Sequence, residues 1–212
     1  LRADPVLRGL LGQRHSTIDA RFMMDNHRIL IANLAGISAA AADILGSLLA
    51  TWFQVAALSR SDIPQAERAP FTLILDECHR FTTDHLASIL SEARKYGLGM
   101  VLANQYTAQL SDEIRAAIFG NAGTTIAFRV GGADGAILEE QFGGAFHTEQ
   151  FADLARFTAY VKAIQDGEPG EPFRASMCPP IERHHGRKET ITRESRRRFG
   201  REREVVEKQL HK

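Results

Sequence analysis

Two short apolar runs that end in polar side chains most constrain the fold of this chain. Residues 71–77 read FTLILDE, an apolar stretch of strand length followed by an aspartate and a glutamate. Residues 99–105 read GMVLANQ, and Gln105 stands 29 residues after Asp76. That separation fits one strand–helix–strand unit, whose crossover is nearly always right-handed. The two strands are therefore predicted to be parallel neighbours that end at the same edge of a sheet.

Apolar runs and helical patterns alternate along the whole chain. Strands are predicted at residues 28–34, 71–75, 99–103, 124–130 and 158–164, and helices at 39–58, 83–96, from Ser111, 133–142 and 148–155. Such alternation predicts an α/β fold with a mostly parallel sheet. In helix 39–58, the side chains predicted to form one apolar stripe are Ile44, Leu45, Leu48, Leu49, Trp52 and Val55.

The composition changes after Pro179 and Pro180. From Glu182 to the end the chain has 11 basic and 6 acidic residues, although basic and acidic residues balance at 26 each over the full sequence. This predicts a compact core over residues 1–180 and a basic, helical tail over 181–212, interrupted near Gly200. The tail arginines Arg196, Arg197 and Arg198 are candidate phosphate contacts, and a solvated helix face is at least as common a reason for such a cluster.

Residues 28–60 form an apolar stretch that needs comparison with a membrane span. Asp43 is the only charge between Arg28 and Arg60, and it leaves uncharged runs of 14 and 16 residues. Both runs are shorter than the roughly 20 residues that cross a bilayer. The stretch is therefore predicted to be a strand and a core helix of a soluble domain.

The cysteines favour a reducing compartment and no structural metal. The chain has two cysteines and no CxxC motif, so a disulfide framework is not expected. A zinc site would have to draw on residues whose spacing matches no familiar zinc motif: Cys78, His79, Cys178, His184 and His185. No zinc is expected.

The acidic pair and the amide pair suggest nucleotide hydrolysis. Ligands of open α/β sheets bind beyond the carboxyl ends of the strands, where Asp76 would bind Mg²⁺ and Glu77 would polarise a water. Asn104 and Gln105, at the end of the next strand, could sense a γ-phosphate or orient that water. Two solvated acids after a buried strand, and an amide that caps a helix, are the simpler alternatives.

Arg94 lies at the far end of the predicted helix 83–96. That end points away from the nucleotide site of its own subunit, so the arginine could reach the site of a neighbour. The alternative is an arginine favoured by the dipole of a last helical turn and paired with Glu92. Spacing alone favours this alternative.

The order of these blocks resembles the HerA–FtsK superfamily, and within it conjugative coupling proteins and related type IV secretion ATPases. The similar blocks are MDNHRILIANLAG at 24–36, LILDECHRF at 73–81, ILSEARKYGLGMVLANQYTAQL at 89–110, IRAAIFGNAGTTIAFRVGGAD at 114–134 and SRRRFGREREVVE at 195–207. The resemblance covers most of the chain. It implies a RecA-like fold with helices on both faces of the sheet, the C-terminal part of a P-loop NTPase core.

The resemblance also implies roles for individual residues. Asp76 and Glu77 match the Walker B pair, Arg94 the interfacial arginine, and Gln105 the glutamine that links hydrolysis to motion. Arg129, in the FRV block, is a weaker candidate for a nucleotide contact. The resemblance implies ATP and Mg²⁺ as cofactors, and DNA moved through the channel of a hexameric ring. Nuclease or secretion-apparatus partners, and a location in the cytoplasm or peripheral to the inner membrane, follow from the same resemblance.

One element of that family is missing from the printed sequence. No G-x-x-x-x-G-K-[ST] motif occurs in the 212 residues. That loop supplies backbone amides and a lysine to the phosphates, so we expect no useful ATP affinity from this chain by itself. Two other functions stay open. The DECH sequence at 76–79 resembles motif II of DExH-box helicases, and a core without a phosphate loop could be a non-catalytic DNA- or partner-binding module.

Overall fold

The computed structural model describes residues 4–81, 90, 92–181 and 185–210. The helices are α1 Pro5–Leu11, α2 Ala20–Asp25, α3 Ala39–Leu58, α4 Asp112–Asn121, α5 Gly132–Gln141, α6 Thr148–Ala152, α7 Lys188–Phe199 and α8 Arg203–Leu210. The strands are β1 Phe71–Leu75, β2 Leu98–Leu102, β3 Thr124–Ala127, β4 Thr158–Gln165, β5 Glu168–Pro169 and β6 Phe173–Ser176. Short 3₁₀ helices cover Ser59–Asp62, Gln65–Glu67, Cys78–Arg80, Ala93–Tyr96 and Thr107–Gln109. The α/β class predicted from the sequence is confirmed.

The chain divides into two compact units. The first contains Leu1–Thr83, Glu92–Leu102 and Arg183–Lys212, and the second contains Asp84–Ser91 and Ala103–Glu182. The predicted helix 83–96 falls mostly outside the described residues. Its end is described, and Gly97, in the left-handed conformation at φ 74°, follows the 3₁₀ helix Ala93–Tyr96 as the predicted stop.

The first unit contains the predicted pair of parallel strands. β1 and β2 pair in parallel from Phe71 opposite Leu98 to Leu75 opposite Leu102, so both carboxyl ends lie at one edge. The first strand has its predicted bounds, and the second is shifted by one residue from the predicted 99–103. The predicted parallel pairing is therefore confirmed.

Helix α3 packs in the first unit through a different stripe from the predicted one. The buried residues are mostly small: Ala41, Ala42, Leu45, Gly46, Ala50, Phe53, Ala56 and Ala57. The larger Ile44, Leu48 and Val55 are exposed, so the predicted stripe is wrong at these three positions. Of its other members, Leu45 is buried, and Leu49 and Trp52 are half-buried. Small side chains allow the helix to approach its neighbours closely, and the Phe53 ring then stacks on Phe71 of β1 at 5.2 Å.

The predicted strand 28–34 is wrong. These residues form no strand and have no strand partner among the described residues. Ile29 and Ile31 are 87% and 82% exposed. An apolar run becomes a strand only where a neighbouring strand satisfies its backbone groups, and the described residues provide none here.

One helical stretch, Ala39–Asp62, is long and apolar enough to cross a membrane, with a mean hydropathy of 1.4 over its best window. In the structure 44% of that window is buried inside the protein. The core helix of a soluble protein meets the same criteria, so length and hydropathy do not separate the two interpretations.

The strands of the second unit are antiparallel, unlike β1 and β2. β4 pairs antiparallel with β3 on one side and with β6 on the other, and β5 extends the pairing at the end of β4. The GEPGEP turn explains the direction of β6, since strands joined by a short connection pair antiparallel. β3 ends at Ala127, three residues before the predicted end. The core that these strands cover consists of Ala127, Leu138, Phe142, Phe151, Leu154 and Tyr160.

The basic tail is helical and is interrupted by Gly200, as predicted. α7 ends at Phe199 and α8 begins at Arg203. α8 packs on α1 in the first unit, and its Val206 is buried. The predicted separation of a core at 1–180 from a tail at 181–212 stays a prediction.

Candidate nucleotide site

The acidic pair lies directly beyond the carboxyl end of β1. Asp76 is exposed, and Glu77 is half-buried with a φ of 52°. Few residues other than glycine adopt that left-handed conformation, and such residues concentrate at functional sites. The Asp76 carboxylate accepts a hydrogen bond from the Glu77 backbone N–H at 3.1 Å. The turn therefore places two adjacent carboxylates at the end of one strand.

Contacts with α3 hold this turn in place. The 3₁₀ helix Cys78–Arg80 follows the acids, and the buried Cys78 side chain anchors it. The Arg80 guanidinium donates to Asp43 Oδ1 from Nε at 2.8 Å and lies 2.7 Å from it through Nη2. It also donates to the Ala39 carbonyl at 3.3 Å. Sequence reasoning missed this ion pair, although a single aspartate within an apolar helix is a usable signal for a distant cation.

The side chains that follow Glu77 do not form a metal cluster. His79 Nδ1 lies 3.5 Å from Glu77 Oε2. Burial raises the pKa of the Cys78 thiol above its ordinary value, which favours an unreactive, protonated side chain. Across the described ranges, no three His, Cys, Asp or Glu side chains are grouped to hold a metal ion.

An exposed carboxylate at this position nevertheless fits Mg²⁺. This ion keeps several waters and takes one or two carboxylates together with substrate phosphates, so a closed cluster of protein ligands is not needed. Asp76 fits that requirement. The phosphate-loop motif does not occur in the printed sequence, so Asp76 and Glu77 are candidates for one side of a nucleotide site only.

The amide pair follows β2 and belongs to the second unit. Asn104 donates from Nδ2 to the Tyr106 carbonyl at 2.5 Å, and Gln105 is exposed. The register of β1 and β2 places the ends of both strands side by side. The predicted approach of Gln105 to Glu77 stays a prediction, because the two residues belong to different compact units.

A buried aspartate holds the loop that carries the amides. Asp134, in the first turn of α5, accepts hydrogen bonds from the Thr107 backbone N–H at 2.9 Å and from the Thr107 hydroxyl. Asp134 is the last residue of the block 114–134, and sequence reasoning gave it no role. Its contact fixes the start of the 3₁₀ helix Thr107–Gln109, two residues after Gln105.

Arg94 lies at the opposite end of the parallel pair from the acids. It sits in the 3₁₀ helix Ala93–Tyr96, immediately before β2, whereas Asp76 and Glu77 follow β1. Five strand residues separate the two edges by about 15 Å at 3.3 Å per residue. Arg94 is exposed, and within the described part of the chain its side chain forms no ion pair or hydrogen bond. It is therefore available to a second molecule.

The remaining candidate arginines lie on exposed surface. Arg129 follows β3 and is exposed. On α7, Arg197 binds Glu194 through Nη2 at 2.9 Å, and Arg198 lies 3.7 Å from the same carboxylate. Pairing within one helix is typical of a solvated face. It does not distinguish that interpretation from a phosphate-binding one.

Comparison with known proteins identifies the family. The sequence model of the type IV secretion-system coupling protein DNA-binding domain matches residues 30–152, more than half of the chain. This chain belongs to that family. The match includes the acidic pair, Arg94 and the amide pair. A search of curated proteins found no match.

Solved structures show the same fold at low sequence identity. The bacterial conjugative coupling protein TrwBdeltaN70 aligns with a TM-score of 0.53 and 17% identity over 65% of this chain. A complex of TrwB with ADP and Mg²⁺ aligns with a TM-score of 0.52 and 19% identity. The genome packaging NTPase B204 from Sulfolobus turreted icosahedral virus 2, in complex with ATP-gammaS, aligns with a TM-score of 0.52 and 12% identity over 78% of this chain. The chain spans 38% of the TrwB chain and 74% of the B204 chain.

Proposed function

We propose that this chain is part of an ATP-driven DNA translocase of the coupling-protein type, which works as a hexameric ring. The observation that carries the proposal is the parallel pair β1–β2, with two carboxylates beyond one end and an exposed arginine before the other. Arrangement in a ring would bring the arginine edge of one subunit to the carboxylate edge of the next. The family match and the nucleotide complexes of TrwB and B204 support ATP and Mg²⁺ as cofactors.

Each residue has a distinct role in the proposed hydrolysis. Asp76 would hold Mg²⁺ and its waters, and Glu77 would orient the attacking water and accept its proton as ADP leaves. Arg94 of the neighbouring subunit would neutralise the charge that develops on the transferred phosphoryl group, and Gln105 would contact the γ-phosphate. When bound, Mg·ATP supplies that phosphoryl group. The phosphate loop would come from another part of the complete protein.

The partners and location belong to the same proposal. DNA is the proposed cargo because the matching family is described as a DNA-binding domain. The exposed arginines of α7 are proposed as secondary phosphate contacts. Nuclease or secretion-apparatus proteins are further proposed partners, and the proposed location is the cytoplasm, at the inner membrane if further chain anchors the protein there.

Substitution of Glu77 tests the catalytic assignment. In the complete protein, Glu77→Gln keeps the shape of the side chain but removes the base, so ATP turnover should fall by at least about 10²-fold. Binding of a fluorescent ATP analogue should stay unchanged. The matched control is Glu67→Gln, an exposed glutamate of the same unit, which should keep normal turnover. Normal turnover in Glu77→Gln would remove the central assignment. A complete protein that binds DNA but never hydrolyses ATP would favour the non-catalytic module instead.

A further inference from the structure

A fully buried arginine lies near the amino ends of the two parallel strands. Arg60 is 0% exposed. Its Nε donates to Asp25 Oδ1 at 2.9 Å, and its Nη1 donates to the carbonyls of Ala69 at 2.8 Å and Tyr96 at 3.1 Å. One guanidinium therefore ties α2, the residues before β1 and the residues before β2 together.

A second arginine binds the neighbouring carbonyl. Arg68 donates through Nη1 to the Lys95 carbonyl, and its guanidinium carbon lies 5.0 Å from the centre of the Tyr96 ring. Arg68 Nε also donates to the Arg60 carbonyl at 3.1 Å and the Ile63 carbonyl at 2.9 Å. The two residues that directly follow Arg94 are thus each held through their backbone by a guanidinium group.

The turn after Arg94 is packed tightly against these groups. A Cβ atom at Gly97 would lie 3.1 Å from Arg60 Nη1 and 3.2 Å from the Ala69 carbonyl oxygen. The Gly97 carbonyl accepts a hydrogen bond from Phe71 N–H at 2.8 Å. The backbone that directly follows Arg94 is therefore held in place, while the Arg94 side chain itself is exposed.

Stability alone is a poor explanation for a buried arginine here. Burial would raise the pKa of Asp25, but hydrogen bonds from Arg21 and Arg60 lower it below its ordinary value, so the carboxylate is charged. Arg60 Nη2 is buried and has no partner within the described residues, which carries a desolvation cost. Replacing such buried pairs by apolar side chains is often neutral or stabilising. Arg60 does, however, hold two backbone carbonyls in place, those of Ala69 and Tyr96.

We propose that Arg60, assisted by Arg68, is a positioning residue for Arg94 at the subunit interface. This inference rests on the proposed role of Arg94 in a neighbour's site. A long side chain delivers its charge accurately only if its backbone is fixed, and a misplacement of about 1 Å can lower a rate about 10²-fold. Arg60 acts on the neighbour's hydrolysis through the backbone of residues 94–97 and touches no substrate.

The first measurement is the ATPase kinetics of complete, oligomeric variants. Arg60→Met should lower kcat about 10²-fold and leave the KM for ATP unchanged, because the variant subunit keeps its own carboxylates. Arg60→Lys, which retains the charge, should recover part of the rate. The matched control is Arg21→Met. Arg21 also binds Asp25, at 2.5 Å, but it donates to none of the carbonyls of residues 95–97. The kcat of the Arg21→Met variant should therefore stay normal.

The second measurement separates positioning from folding. Arg60→Met subunits keep Glu77, and Glu77→Gln subunits keep a correctly held Arg94. Mixed oligomers of the two should hydrolyse ATP faster than either variant alone, as should mixtures of Arg94→Ala with Glu77→Gln. A folded Arg60→Met variant with normal kcat overturns the proposal. The proposal is also overturned if Glu77→Gln subunits rescue Arg94→Ala but fail to rescue Arg60→Met, because Arg60 would then act within its own subunit.

Two further outcomes are decisive. If Arg94→Ala retains normal turnover, the proposed role of Arg94 fails, and the role of Arg60 fails with it. If Arg60→Met does not fold by circular dichroism and gel filtration, Arg68→Met provides the same two readouts, since Arg68 is only half-buried. Normal turnover of a folded Arg68→Met variant would then overturn the proposal.

Discussion

Glu139 shows how one side chain of the second unit joins two helices. From α5 it accepts hydrogen bonds through Oε2 from the Thr148 hydroxyl at 2.7 Å and the Thr148 backbone N–H at 2.8 Å. Its Oε1 lies 3.1 Å from His147 Nδ1. The hydrogen bond from the Thr148 hydroxyl, together with those from His147 and the Thr148 backbone, lowers the pKa of Glu139 from 4.5 to about 2. The carboxylate caps the start of α6, and protonation weakens this cap.

The stabilisation from Glu139 should depend on pH in a defined direction. Because the folded protein binds this proton more weakly than the unfolded chain does, the contribution is complete above about pH 4.5 and is lost as the pH falls towards about 2. Glu139→Gln should therefore be less stable than the parent at pH 7 and equal to it near pH 2, as measured by urea unfolding. Glu140→Gln, at the exposed neighbouring position, should match the parent throughout. A stability difference that persists unchanged to pH 2 would contradict the assignment.

At the scale of elements, Gly46 lets α3 approach the turn that carries the acidic pair. A Cβ atom at this position would lie 2.2 Å from Phe81 Cε1. Gly46→Ala should therefore displace the Phe81 ring and lower the free energy of unfolding by about 1–3 kcal/mol. Within the described residues, no atom lies within 4 Å of a Cβ built at Gly9 in α1, so Gly9→Ala should raise the free energy of unfolding by about 0.5–1 kcal/mol. If the denaturant midpoints of both variants shifted in the same direction from that of the parent protein, this packing would be contradicted.

Local patterns explain which elements were predictable. β1 was placed correctly because an apolar run between Pro70 and Asp76 has few alternatives. The buried face of α3 was not placed correctly. Large apolar side chains such as Ile44 and Leu48 were predicted to be buried, whereas close packing buries alanines and Gly46. The strand at 28–34 failed because pairing depends on a partner that the local sequence does not specify.

The candidate site was predictable only where its residues are close in sequence. Asp76 and Glu77 are identified by the strand that precedes them, and Arg94 by a matching sequence block. Asp43 and Arg80 were missed because the two partners stand 37 residues apart. Arg60 was missed because an arginine in a polar loop is normally solvated, and only the fold shows that it is buried.

At the scale of the whole molecule, each compact unit contains its own set of buried contacts. In the first unit, Phe53 of α3 packs on Phe71 of β1. In the second unit, the Phe151 ring lies 5.6 Å from Phe142 and 5.1 Å from Tyr160. The single tryptophan, Trp52, lies in α3, so its fluorescence reports on the first unit alone.

This distribution predicts that core substitutions act on one unit at a time. Phe151→Ala removes a fully buried ring and should destabilise the second unit by about 3–5 kcal/mol, as seen in the far-ultraviolet circular dichroism of urea unfolding. The Trp52 fluorescence transition should stay in place in that variant and should move in Gly46→Ala, because contacts within a unit couple more strongly than distant sites. If Phe151→Ala shifts the Trp52 transition as far as it shifts the dichroism, the two units unfold as one cooperative body. In that case a mutation anywhere in the chain would reach the acidic turn through global stability, and the kinetic effects of Arg60 substitutions would have to be compared at equal stability.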